Sequence, residues 1–141
     1  METKRIVWID DDIDKSILRP YVDEFEENGF EIIKIKSINN ILHLLKNETK
    51  KISAILVDII MPPMNLNFRE TLGGLRTGLA VLKKIKEEDS LKDIPLITVT
   101  NVDDDEVKSF CLDKSIPCIE KKDYFSDEFV AKISEIINNR K

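Results

Sequence analysis

Five side chains stand where their types combine into chemistry: Asp10, Asp11, Asp58, Thr100 and Lys121. Each closes or follows a short apolar run. I-V-W-I precedes Asp10-Asp11, A-I-L-V precedes Asp58, L-I-T-V precedes Thr100, and C-I-E precedes Lys121. Three carboxylates gathered at one edge repel one another unless a cation neutralises them. Oxygen-only ligands suit a hard ion such as Mg²⁺, which keeps several waters and takes one or two carboxylates. A lysine ammonium is a compact charge that meets a phosphoryl oxygen, and a threonine hydroxyl adds a donor. Together these groups suit an aspartate nucleophile that accepts a phosphoryl group. Taken singly, each has a plainer reading. Asp58 ends a strand and caps a loop, Asp10-Asp11 cap a helix, and Thr100 is a structural hydroxyl.

For the five to meet, the runs must be parallel strands whose carboxyl ends share a crevice. The chain supports this. Arg5–Ile9 reads as a buried first strand and Phe30–Lys36, partly alternating, as a second nearer the sheet edge. Ile52–Val57, Pro95–Val99 and Ile116–Ile119 are the third, fourth and fifth. The third is apolar enough to be buried on both faces, hence central. Between them, Ile13–Asn28 has helical spacing, with Asp12 or Asp14 as cap; Pro20 either kinks that helix or marks its true first turn. Ser37 caps a second helix bearing Ile38, Ile41, Leu42 and Leu45. Thr77–Glu88 is the third, turning Leu82 and Ile85 inward; Asp103 or Asp104 caps a fourth to about Asp113, and Ser126 or Asp127 a fifth to about Asn138. Asn65–Leu75 shows no period and reads as part of a long loop. Strand and helix alternate five times, which predicts an α/β domain with a parallel sheet and right-handed crossovers.

Length and composition agree. The chain has 141 residues, one domain's worth, so residues 1–141 are expected to form a single domain with no room for a second. Charged residues make up 35% and the net charge is −5, with basic residues scattered, which argues against a nucleic-acid footprint. No apolar run approaches the roughly 18 residues of a membrane span. The apolar stretch after Lys4-Arg5 is too short for a signal peptide, so a cytoplasmic location is expected. Cys111 and Cys118 form neither a disulfide framework nor a zinc site and read as small core residues. His43, the single histidine, reads as a surface residue, and Asp103–Glu106 as a solvated helix start.

The four motifs I-V-W-I-D-D-D, V-D-I-I-M-P, P-L-I-T-V-T and C-I-E-K, in this order and spacing, span nearly the whole chain. In them the chain resembles the receiver domain of two-component response regulators, of the stand-alone type. The resemblance implies a flavodoxin-like, doubly wound sheet of five parallel strands in order 2-1-3-4-5 with five helices. It implies that Asp58 is the phospho-acceptor, that Asp10 and Asp11 with Asp58 and the Ile60 carbonyl hold Mg²⁺, that Thr100 is the switch hydroxyl, and that Lys121 pairs with the phosphoryl oxygens or with Asp58. Lys122 competes with Lys121, and counting from a buried Ile119 favours Lys121. Asp12 reads as a helix-start acid. The implied function is acceptance of a phosphoryl group from a histidine kinase or phosphotransfer protein, switching a protein–protein interaction, without turnover as an enzyme. The alternative is a receiver-like binding module that is not phosphorylated. A phosphohydrolase is disfavoured by Ile60, where a second acid often stands, and a nucleotide binder by the lack of a glycine-rich loop after the first strand.

Four departures stand out. Pro63–Gly78 is long where a short turn is usual, and reads as a lid, a partner-docking loop or a plain insertion; its Arg69 and Arg76 are placed to reach a phosphoryl oxygen. Asn101 follows Thr100 where a small residue is usual and is expected to crowd the pocket. Lys122 replaces a common proline, and Cys118 stands where the family often has an aromatic switch residue. Ile60 and Val102 flank the attacking water's place and cannot orient it, so slow loss of phosphate is expected.

Overall fold

The computed structural model describes residues 4–48, 51–64, 66, 68–101 and 103–139. Val102, Asn65 and Asn67, which entered the expectations above, lie outside the described residues. Five strands, β1 (Lys4–Ile9), β2 (Phe30–Ile35), β3 (Ala54–Val57), β4 (Leu96–Thr100) and β5 (Cys118–Glu120), form one sheet in the order β2-β1-β3-β4-β5. Every pairing is parallel. This is the expected doubly wound, flavodoxin-like sheet. β3 is central and buried along its whole length, and β2, the partly alternating strand, lies at an edge.

Five helices connect and close the sheet: α1 (Arg19–Glu27), α2 (Ile41–Lys46), α3 (Thr77–Glu87), α4 (Asp105–Asp113) and α5 (Ser126–Asn139). Alternation along the strands divides the core in two. On one face Val7, Ile55, Val57 and Leu96 pack with residues of α2, α3 and α4. On the other, Ile6, Trp8, Leu56, Ile97 and Val99 pack with α1 and α5. That second layer is aromatic. Phe129 stacks on Trp8 at 5.7 Å and meets Phe25 and Tyr21 edge-on at 6.0 and 5.2 Å. Such pairs contribute about 1 kcal/mol each beyond their buried area.

Several boundaries differ from expectation, each for a local reason. α1 starts at Arg19, not Ile13, and neither Asp12 nor Asp14 caps it. Pro20 has no N–H and cannot sit inside a helix, so it takes the first turn instead. Asp12 pairs with Lys15 at 2.8 Å, and Asp14 pairs with Lys34 and Lys36 of the β2 segment. Ser37 does not cap α2: its Oγ accepts the Asn39 N–H at 3.2 Å, closing a turn, and the helix begins later, after Asn40 at φ 57°. β3 and β5 are shorter than expected, and β4 begins after Pro95 and runs on to Thr100. Asp104 is the cap of α4, accepting from the N–H groups of Glu106 and Val107. α3 buries Leu79, Ala80 and Val81 as well as Leu82 and Ile85, because β3 and the segment before the helix enclose its first turn.

Candidate functional site

Strands β1, β3, β4 and β5 end side by side, and the residues at or just past their ends build the site. Asp10 follows β1 and has no exposed surface. Its Oδ1 accepts the Asp12 N–H at 2.9 Å, while its Oδ2 lies 3.0 Å from Lys121 Nζ. Lys121 follows β5, and the same Nζ is 4.0 Å from Asp58 Oδ2, just past β3. Asp58 Oδ1 accepts the Ile59 N–H at 2.8 Å. One ammonium thus stands between two nearly buried carboxylates. Asp11, partly exposed, joins Asp10 and Asp12 in a cluster whose carboxylate oxygens lie within 4.8 Å of one another. Thr100, the last residue of β4, is buried and registers with Glu120 across the β4–β5 pair.

The charge balance is uneven. Burial pushes the Asp58 carboxyl up to about 7; Lys121 opposes this, Asp10 adds to it, the Ile59 N–H opposes and Asp11 adds. Burial also raises Asp11, helped by the charges of Asp12 and Asp10. Acids with so little compensation are suited to a divalent cation. The backbone agrees. The Ile59 carbonyl accepts from Gly78 N–H at 2.8 Å and the Met61 carbonyl accepts from Thr77 Oγ1 at 2.5 Å. Between them the Ile60 carbonyl accepts no hydrogen bond among the described residues, leaving an oxygen for a hard ion. The residues present therefore fit Mg²⁺.

Lys121 and Lys122 are neighbours in the turn that follows β5 but meet different partners. Lys122 is exposed and pairs with Glu120 at 3.5 Å. Asn101 does not crowd the pocket: it is exposed, and its Oδ1 accepts the Lys122 N–H at 2.9 Å. Tyr21 Oη donates to the Tyr124 carbonyl at 3.1 Å, bracing the same turn from α1. Ile60 turns its side chain outward, at 42% exposure.

The described residues between Pro63 and Gly78 form local structure. They carry a helical turn at Phe68–Thr71 and a tighter turn at Leu72–Gly74. The segment returns to β3 through Met61 N–H to the Gly74 carbonyl at 3.1 Å and Gly78 N–H to Ile59. Gly74 sits at φ 110°, a conformation that disfavours a side chain, and a Cβ there would lie 3.1 Å from the Met61 oxygen. The segment and Asp11 line a cleft of about 280 Å³ with Ile60, Met61 and Pro62. Arg76 is held elsewhere than expected. Its guanidinium grips both oxygens of Asp104 at 2.8 and 3.1 Å and also pairs with Glu106. Asp104 is therefore more than a solvated helix-start acid. Arg69 lies exposed in the helical turn.

One residue and one pairing of this frame were not singled out beforehand. Gly78 packs on the backbone of Asp58 so tightly that a Cβ would fall 1.9 Å from its carbonyl oxygen. The glycine in G-L-A-V, opening a helix, is the signal. The Arg76–Asp104 pair had none, because nothing local joins residues so far apart in the chain. His43 is exposed on α2 and bonds Asn47 at 2.9 Å. Cys111 is buried as expected, but Cys118 is exposed at the sheet edge.

No protein-family model matches the sequence, and no curated protein is significantly similar to it. Solved structures do resemble it. A CheY-like response regulator receiver domain protein from Methanospirillum hungatei JF-1 has 23% identity and a TM-score of 0.72, covering 99% of this chain and 97% of that one. A response regulator from Thermotoga maritima has 16% identity and a TM-score of 0.70, covering 98% and 100%. The phosphorylated cyanobacterial phytochrome response regulator RcpA has 17% identity and a TM-score of 0.68, covering 99% and 94%. The chain has the fold of response regulator receiver domains along its whole length.

Proposed function

For a chain with the receiver fold, we propose that Asp58 accepts a phosphoryl group and that its phosphorylation switches binding to a partner protein. The observation that supports this most is Lys121 Nζ poised between Asp10 and Asp58 in a buried pocket. An Asp58 oxygen forms the bond to phosphorus as the N–P bond of a phosphohistidine breaks, and the imidazole leaves with a proton from solvent. The donor is a histidine kinase or phosphotransfer protein of a two-component system. Lys121 then meets the phosphoryl oxygens, and Thr100 supplies its hydroxyl. Asp10, Asp11, Asp58 and the Ile60 carbonyl would hold Mg²⁺, which supplies positive charge where the phosphoryl charge develops.

The chain modifies itself rather than turning over a substrate, and acts in the cytoplasm as a phosphoprotein. The outward apolar side chain of Ile60 cannot orient an attacking water, so loss of phosphate is slow. The test is incubation with acetyl phosphate, with and without Mg²⁺, followed by mass mapping. One phosphoryl group on Asp58, dependent on Mg²⁺ and absent in Asp58→Asn, is the expected result. No incorporation, or incorporation elsewhere, would mean a receiver-like module that binds without phosphotransfer.

A further inference from the structure

The two cysteines lie far apart in character but together in space. Cys111 is on α4 and Cys118 begins β5. Thr98 of β4 links them. It is the register partner of Cys118, so the two side chains leave the sheet on the same face. Its Oγ1 is 3.3 Å from Cys111 Sγ, which places all three beneath α4. Cys111 is buried and Cys118 is exposed, so one sulfur of the pair meets solvent and the other is shielded.

We propose that Cys111 and Cys118 are a reversible redox site, closing an intramolecular disulfide when a peroxide reaches the exposed sulfur. The Cys118 thiol reduces hydrogen peroxide, giving a sulfenic acid and one water. The Cys111 sulfur then attacks the Cys118 sulfur, forming the S–S bond and releasing a second water. Two thiols and one peroxide become one disulfide and two waters. A dithiol reductant reverses the change. Because both cysteines flank Thr98, closure to about 2.05 Å needs their side chains to turn toward one another across it.

The cross-link reaches the site described above. Cys118 leads directly into Ile119, Glu120 and Lys121, and α4 is the helix whose cap, Asp104, holds Arg76. Oxidation ties that helix to the strand that carries the lysine.

The test exposes the full chain to stoichiometric hydrogen peroxide and follows it by intact mass and by peptide mapping without reduction. The expected result is loss of two hydrogens, a linked peptide joining Cys111 to Cys118, and full reversal by dithiothreitol. Cys118→Ser, at an exposed position, abolishes the loss while retaining the fold by circular dichroism, and Cys111→Ala does the same from the buried side. A disulfide-linked dimer through Cys118, or a sulfinic acid on Cys118 with Cys111 still free, would overturn the proposal. Neither result depends on whether Asp58 is phosphorylated, so the two readings fail separately.

Discussion

Gly78 leaves no space between its α-carbon and the carbonyl of Asp58: a β-carbon there would stand 1.9 Å from the oxygen and 2.6 Å from Ile59 Cα. Both neighbours are backbone, so relief requires moving α3 or the end of β3. Gly78→Ala is expected to destabilise the chain by about 3 kcal/mol or more. Thermal melting checks this; a melting temperature unchanged from the parent would show that the helix can retreat freely.

Removing the Lys121 ammonium strands Asp10, which has no exposed surface. Lys121→Met is expected to cost on the order of 3 kcal/mol, the penalty of an uncompensated buried charge. Lys122→Met, at an exposed pair, is expected to change stability by less than about 0.5 kcal/mol. Urea unfolding of the two variants side by side measures the contrast. Equal effects would contradict the separation of the two lysines.

The grip of Arg76 holds the Asp104 carboxyl below its ordinary value. A lowered acid contributes stability that is fully present above its unfolded pKa, near 3.8, and is lost as pH falls through the lower folded value. Arg76→Met should therefore be less stable than the parent at neutral pH, with the gap closing as the solution is acidified below about 4. Urea midpoints across that range test it. A gap that widens in acid would reverse the assignment.

Asp58 runs the other way. Its carboxyl is raised by burial to about 7 from 3.8, so the unfolded chain sheds this proton first and stability falls as pH rises between those values. In chelator, Asp58→Asn should lack that decline, worth at most on the order of 4 kcal/mol. Added Mg²⁺ favours the ionised carboxylates, so its stabilising effect on the parent should grow with pH and be smaller in Asp58→Asn. Stability that rises from pH 4 to 7 without metal would count against a buried, uncompensated Asp58.

Much of the frame was legible in residue order. Apolar runs that end in Asp10, Asp58 and Thr100 carry their own meaning, because a buried strand has few reasons to stop at a polar residue other than the crevice it opens on. Helix starts were harder. Asp14 has the chemistry of a cap, yet Lys34 in β2 and Lys36 just past it claim its carboxylate, and no local pattern announces that competition. Pro20 did carry the needed information, since its missing N–H forces the first turn. Asn101 looked like an obstruction because its side chain is large. It is held outward by the Lys122 N–H, a partner supplied by a neighbouring strand's turn. Cys118 likewise read as core because its type is usually buried, whereas β5 is short and last in the sheet.

The hydrogen bond from Met61 to Gly74 has an evolutionary consequence. With Thr77 and Gly78 also fastened to Met61 and Ile59, the ribbon between Pro63 and Gly73 is an excursion that leaves β3 and comes back to it at a sealed base. Lengthening such an excursion adds only a fraction of a kcal/mol of closure entropy per doubling, about 0.6. Descendants of this chain can therefore vary that ribbon in length and content without disturbing the acid cluster beside it, which makes it the natural ground on which otherwise similar proteins diverge.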